Sequence, residues 1–160
     1  MSSRRHAREC VMQALYAREM AEDESRDYYI QMAVEPELDD DGIVLEFAKR
    51  LFRTTIAVQG DADEIIGEHA ENWEVHRINP IDRCLLRMAT AELLEFEEVP
   101  PKVSIDEAID IAKKYSTPRS GNFINGVLDA ILMDLERQGR LNKTGRGLVG
   151  IDSIRERAGS

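Results

Sequence analysis

A chain of 160 residues is long enough for a single domain with a substantial core. Its 31 acids against 21 bases give a formal net charge of −10, which favours solubility and works against indiscriminate nucleic-acid binding. No run of about 18 apolar residues offers a membrane-spanning helix, and no apolar signal segment follows the arginines of MSSRRHAREC.

Ser2 and Ser3 are placed to cap a first helix over residues 4–22. Ala7, Cys10, Val11, Ala14, Ala17 and Ala21 share its core face at about 100° per residue, a face of small side chains that allows close helix approach. Arg4, Arg5, Arg8, Met12 and Tyr16 fall in the adjacent sector. A solvated face is the ordinary reading of such a cluster. The functional reading is a nucleic-acid contact, with guanidinium groups on phosphates and Tyr16 available for stacking. Residues 19–47 carry eleven acids against one base, Arg26, so this segment repels nucleic acid. A short helix over 26–34 lies inside it, followed by a linker made of Pro36 and the Asp39-Asp40-Asp41-Gly42 run. The next helix, 43–59, buries Val44, Phe47, Ala48, Leu51, Thr55 and Val58 and ends at Gly60 as its C′ residue. Asp61 with Glu64 opens another helix to about 71, and Trp73 and Val75 pack in the connection after it.

Asn79-Pro80 pairs an N-cap with a proline at the first helical position and starts a helix over 80–97. Ile81, Leu85, Met88, Ala89 and Phe96 form its central stripe. Cys84, Ala91, Leu86 and Leu93 widen that stripe to most of the circumference. Glu92 falls in the middle of the apolar surface, which calls for an arginine partner or a rim position. Val99-Pro100-Pro101 ends this helix. Ser104 and Glu107 form an S-x-x-E capping box for a helix over 104–115 that buries Ile105, Ala108, Ile109 and Ala112. After the Thr117-Pro118-Arg119 turn, Ser120 caps a last helix to about 138. It buries Phe123 or Ile124, then Val127, Leu128, Ile131, Leu132 and Leu135. From Gly139 the chain has glycines and bases without a sustained apolar period and reads as a mobile tail.

No strand pattern persists, so about seven helices with short links predict an all-α fold. Cys10 and Cys84 lie on or beside apolar faces, as buried reduced thiols of a cytosolic protein. His6, His69 and His76 lack metal-ligand spacing. With no glycine-rich phosphate loop and no nucleophile–base pair, neither catalytic residues nor a metal nor a cofactor is predicted.

Four stretches carry a resemblance to a known family. RRHARECVMQALY at 4–16, IDRCLLRMATAEL at 81–93, VPPKVSIDEAIDIAKKY at 99–115 and FINGVLD at 123–129 resemble, in order and spacing, the NusB family of transcription antitermination factors. The resemblance implies a single helical domain over 1–138, built of bundles at about 3–60 and 61–138, with 139–160 as the tail. It implies a cytoplasmic, non-enzymatic protein that pairs with the small-subunit ribosomal protein doubling as NusE. Together they would bind boxA-type single-stranded RNA in nascent ribosomal RNA and support antitermination by the transcription elongation complex. The family's RNA side maps onto Arg4, Arg5, His6, Arg8 and Tyr16, and onto Lys113, Lys114, Arg119, Asn122 and Phe123. Its ribosomal-protein side maps onto Asp82, as an exposed acid, and Tyr115. Some members form homodimers. Two readings stand beside this one: a helical protein–protein module without intrinsic RNA binding, and an enzyme using Cys84 or Glu92.

Overall fold

In the computed structural model, which describes residues 3–23, 25–70 and 74–159, every regular element is helical. The chain divides into two compact units, Met1–Ala57 and Val58–Ser160. Trp73 lies outside the described residues, as does Ser2.

The first unit is built on α1 (Arg4–Met20), whose N-cap Ser3 accepts a hydrogen bond from the His6 amide at 3.1 Å. Its buried face holds Ala7, Cys10, Val11 and Ala14, joined by Met12 and Leu15, whereas Ala17 and Ala21 are exposed. The core therefore covers only the first two-thirds of the helix. The chain then runs through α2 (Asp27–Tyr29), a π-helical turn (Ile30–Val34) and α3 (Glu35–Leu38). Pro36, expected in a linker, sits in the first turn of α3, where a missing N–H costs nothing. The last helix of the unit, α4 (Gly42–Ala57), packs along α1. The small residues of α1 leave room for Phe47, Leu51 and Phe52 of α4, and Phe52 is fully buried.

The second unit holds α5 (Gln59–His69), a 3₁₀ turn (Val75–Arg77), α6 (Pro80–Glu95), α7 (Pro101–Tyr115), α8 (Ser120–Arg137), a second 3₁₀ turn (Gly145–Leu148) and α9 (Ile151–Ala158). Helix α6 packs against α5, α7 and α8, which explains its wide apolar surface: Asp82–Leu86 and Met88–Leu93 are all buried. Asn79 caps it as expected, accepting from the Ile81 amide at 2.9 Å.

Four expectations are corrected here. Gly60 is not a C′ residue but the second residue of α5. Helix α7 starts at Pro101, not Ser104: Pro101 takes the first helical position, and the Ser104 hydroxyl turns inward to the Glu92 carboxylate at 2.9 Å. Ile111, rather than Ile109, completes the buried stripe of α7, and on α8 it is Ile124 rather than Phe123 that is fully buried. The segment after Gly139 is no mobile tail. Helix α9 packs on α8, Leu141, Ile151 and Ile154 are buried, and Arg157 binds Asp129 at 2.6 Å. Ile151, Ile154 and Ala158 stand at i, i+3 and i+7, but this pattern lasts only two turns after a glycine-rich stretch and so gives no sustained period, and the segment's anchor is a lysine. No helix among the described residues is long and apolar enough to cross a membrane.

Candidate functional site

The I-D-R triplet at the start of α6 organises a cavity of the second unit. The Arg83 side chain is buried, and its Nη1 donates to the carbonyls of Ile78 at 2.8 Å and His76 at 3.2 Å. This fixes the turn that precedes α6. Asp82, on the same first turn, reaches the other way. Its Oδ1 accepts from Ser116 Oγ at 2.7 Å and its Oδ2 from Ser120 Oγ at 2.8 Å. Each serine has a single hydroxyl proton, and both are given to the carboxylate. Thr117 Oγ1, 2.9 Å from Ser120 Oγ, and the Thr117 amide at 3.2 Å can then donate to Ser120 in turn. The α7–α8 turn is thus tied to α6 by a closed network.

Between these two anchored segments lies a cavity of about 470 Å³. One wall is Arg77, Ile78 and Asn79, the other is Thr117, Arg119 and Phe123, and Asp82 and Ser120 form the floor. Arg77 and Arg119 are exposed and Phe123 is half-buried, so two guanidinium groups and one aromatic ring frame the opening. Lys113 and Asn122 line a second, more polar groove of about 430 Å³ with Asp106, Asp110 and Asn125. Lys114 is exposed, its ammonium 5.1 Å from the ring centroid of half-buried Tyr115.

The expectation of an exposed Asp82 is therefore corrected: it is 5% exposed, and both its oxygens are engaged. A lysine placed there would bury an ammonium group against two hydroxyls, so charge reversal is a folding defect and not a clean probe of a protein–protein surface. Tyr115 keeps exposed surface.

In the first unit the arginines part company. Arg4 is exposed, with its guanidinium 4.4 Å from the Phe47 centroid. Arg5 is half-exposed. Arg8 is 2% exposed, its guanidinium 5.1 Å from the same ring. Arg8 thus belongs to the core of its unit, and a direct phosphate contact by it is corrected to a packing role. The periodicity placed it in the right sector but could not show that Phe47 closes over that sector. His6 stands 3.8 Å from Glu9 and 3.6 Å from Glu37, carboxylates that compete with any phosphate. Tyr16 is 38% exposed, enough ring surface for stacking.

Sequence reasoning missed Arg77, Arg83 and Lys143. The signal for Arg83 was its place next to Asp82 in I-D-R; Lys143 had none. Lys143 is buried, and its ammonium donates to the carbonyls of Phe96 at 2.7 Å and Glu92 at 3.1 Å.

The cysteines are each 1% exposed and unbridged. Burial, reinforced by the Glu37 and Glu9 carboxylates, pushes the Cys10 thiol from 9.0 up to about 11. A raised pKa means that folding favours the neutral thiol. That contribution is complete below about pH 9 and is lost as pH rises toward about 11. The urea midpoint of the parent should therefore fall more steeply over this window than that of Cys10→Ala. Equal pH slopes for the two proteins would remove Cys10 from the alkaline instability.

Comparison with known proteins gives a consistent answer. Residues 5–133 match the model of the NusB family. A protein of Salinibacter ruber named transcription antitermination protein NusB is 63% identical over 160 residues, covering 100% of this chain and 99% of that one. Its namesake in Chloroherpeton thalassium is 43% identical over 97% of this chain and 73% of its own length. Among solved structures, T. maritima NusB superposes with a TM-score of 0.73 at 39% identity, over 81% of this chain and 90% of that one. A crystal structure of antitermination factors NusB and NusE in complex with double-stranded RNA matches with a TM-score of 0.73 at 29% identity, over 80% of this chain and 94% of that one.

Proposed function

Because the chain belongs to the NusB family, a family of transcription antitermination factors and not of enzymes, we propose that it acts in the cytoplasm as an RNA-binding antitermination factor. In this reading it works with a NusE-type ribosomal protein on boxA-type RNA in nascent ribosomal RNA, within the transcription elongation complex. The observation that carries the reading is the cavity flanked by Arg77, Arg119 and Phe123. A guanidinium group takes a phosphate through a charge-assisted bond, and an aromatic ring takes an unstacked base. The similarity to a NusB–NusE complex with RNA supports it. Arg4, Arg5 and Tyr16 of the first unit, and Lys113, Lys114 and Asn122 of the second, are the further contacts proposed, with Tyr115 on the ribosomal-protein side. Asp82 acts indirectly, by holding the turn that carries Arg119.

The net charge of −10 does not oppose this, since acids more than about 8 Å from a phosphate are largely screened at physiological salt. A basic ribosomal partner adds the remaining positive charge.

Gel shifts with single-stranded boxA-type RNA, with and without the ribosomal partner and against a duplex comparator, test the proposal. Arg119→Ala should weaken binding and flatten the dependence of log affinity on log salt by roughly 0.7. Phe123→Ala or Tyr16→Ala should instead cost about 1–3 kcal/mol with little change in slope. If all three variants, folded by circular dichroism, bind as the parent does with the same slope, the RNA face lies elsewhere. Partner binding with no RNA binding by the complex would favour the protein–protein module.

A further inference from the structure

His69, the last residue of α5, is turned toward α8 with an acceptor beside each of its ring nitrogens. Its Nδ1 lies 2.9 Å from the Ile65 carbonyl, an acceptor only, so Nδ1 carries a proton. Its Nε2 lies 3.2 Å from Asp134 Oδ2, also an acceptor. With the proton on Nδ1, the Nε2 lone pair points at a carboxylate oxygen. A metal ion seated between them would be bound by both atoms.

Three further observations favour the metal. The neighbouring Glu68 contributes a carboxylate, and one ligand atom from each of Glu68, His69 and Asp134 lies within 4.8 Å of the others. A tetrahedral ion with bonds of about 2.0 Å needs ligand atoms about 3.3 Å apart. His69 and Asp134 already stand at that separation, and exposed Glu68 has the freedom to close in. The outer contacts are those that orient metal ligands: Nδ1–H is held by a main-chain carbonyl, and Asp134 Oδ2 accepts from Gln138 Nε2 at 3.0 Å. Finally, the adjoining cleft of about 140 Å³ is lined by Asp61, Glu64, Glu68 and Asp134, and its one arginine, Arg140, is engaged with Asp61 at 2.7 Å.

We propose that Glu68, His69 and Asp134 form a binding site for a divalent transition ion of the zinc class, which staples the end of α5 to α8 within the second unit. An imidazole with two carboxylates suits zinc better than magnesium or calcium, which prefer all-oxygen shells. The fourth position would be left to water. Sequence spacing hid the site because its ligands come from two helices far apart in the chain.

The test uses the full chain, stripped with chelator and titrated with zinc chloride, with magnesium chloride as control. Calorimetry should show one zinc per chain. At zinc about a hundredfold above its dissociation constant, the thermal midpoint should rise by roughly 5–10 °C. Cobalt(II) should give a visible d–d spectrum of nitrogen and oxygen ligation. His69→Gln and Asp134→Asn should abolish the shift, and Glu68→Gln, at an exposed position that folding does not need, should weaken binding at least about tenfold. Absence of zinc binding overturns the proposal. Equal binding and equal thermal shifts in the parent and all three variants overturn it as well, since zinc then binds elsewhere.

Discussion

Asp82→Ala should lower the stability of the protein by about 3–6 kcal/mol, the loss of two hydrogen bonds to a buried charged acceptor at about 1.5–3 kcal/mol each. Those bonds are the 2.7 Å and 2.8 Å contacts from Ser116 and Ser120, at a carboxylate only 5% exposed. For a chain of this size the thermal midpoint should fall by roughly 10 °C. The loss is not confined to α6. Once the carboxylate is gone, the two hydroxyls must find other acceptors beside each other, and the turn that presents Arg119 and Phe123 loses its tether. Ser120→Ala should cost less, because one bond to Asp82 remains. A double-mutant cycle of Asp82→Ala with Ser120→Ala should give a coupling energy of about 1 kcal/mol or more. Denaturant curves read all four proteins. A loss below about 1 kcal/mol in Asp82→Ala, or additive single effects, would mean that the network does not hold the turn. RNA binding by the folded fraction of Asp82→Ala should also weaken, although Asp82 is not assigned to contact RNA.

The helical architecture was legible because its signals are local. Ser3 and Asn79 cap where their types say they should, and the breadth of the apolar surface on α6 announced a helix buried nearly all round. Local signals misled where two of them competed. Both Pro101 and Ser104 are helix starters, and the outcome was decided by Glu92, which takes the Ser104 hydroxyl from another helix. The candidate site was half legible. Arg119 and Phe123 could be placed beside each other from the sequence, but Asp82 meets Ser120 across 38 positions, so an acid in a first turn was read as exposed. Arg8 was misread for the same kind of reason, since the ring that covers it belongs to α4. Side-chain closure across elements has no periodicity to give it away.

Lys143→Ala should cost about 3 kcal/mol or more and release the C-terminal segment. Its buried ammonium makes charge-assisted bonds to the carbonyls of Phe96 and Glu92, at 2.7 Å and 3.1 Å, at the end of α6. The Glu92 carbonyl also accepts from the Phe96 amide at 3.1 Å and the Phe96 carbonyl from the Val99 amide at 3.2 Å, so the ammonium is a second donor to each, at a helix C-terminus where a cation complements the dipole. Lys143→Met, which keeps the stem but not the charge, should be nearly as damaging, and that separates the ammonium from its packing. A second variant reaches the same joint from the other side. Gly147 packs so closely on Glu97 that a Cβ would collide with the Glu97 carbonyl oxygen, a main-chain atom that cannot swing aside. Gly147→Ala should therefore push the segment off, breaking the 3.0 Å bond from the Thr144 amide to that same carbonyl. Hydrogen exchange reads the result. In the parent, amides of α9 (Ile151–Ala158) should be protected; in Lys143→Ala and Gly147→Ala they should exchange far faster while those of α6 keep most of their protection. Parent α9 amides that exchange at unfolded rates would show a mobile tail, with Lys143 anchoring nothing beyond itself.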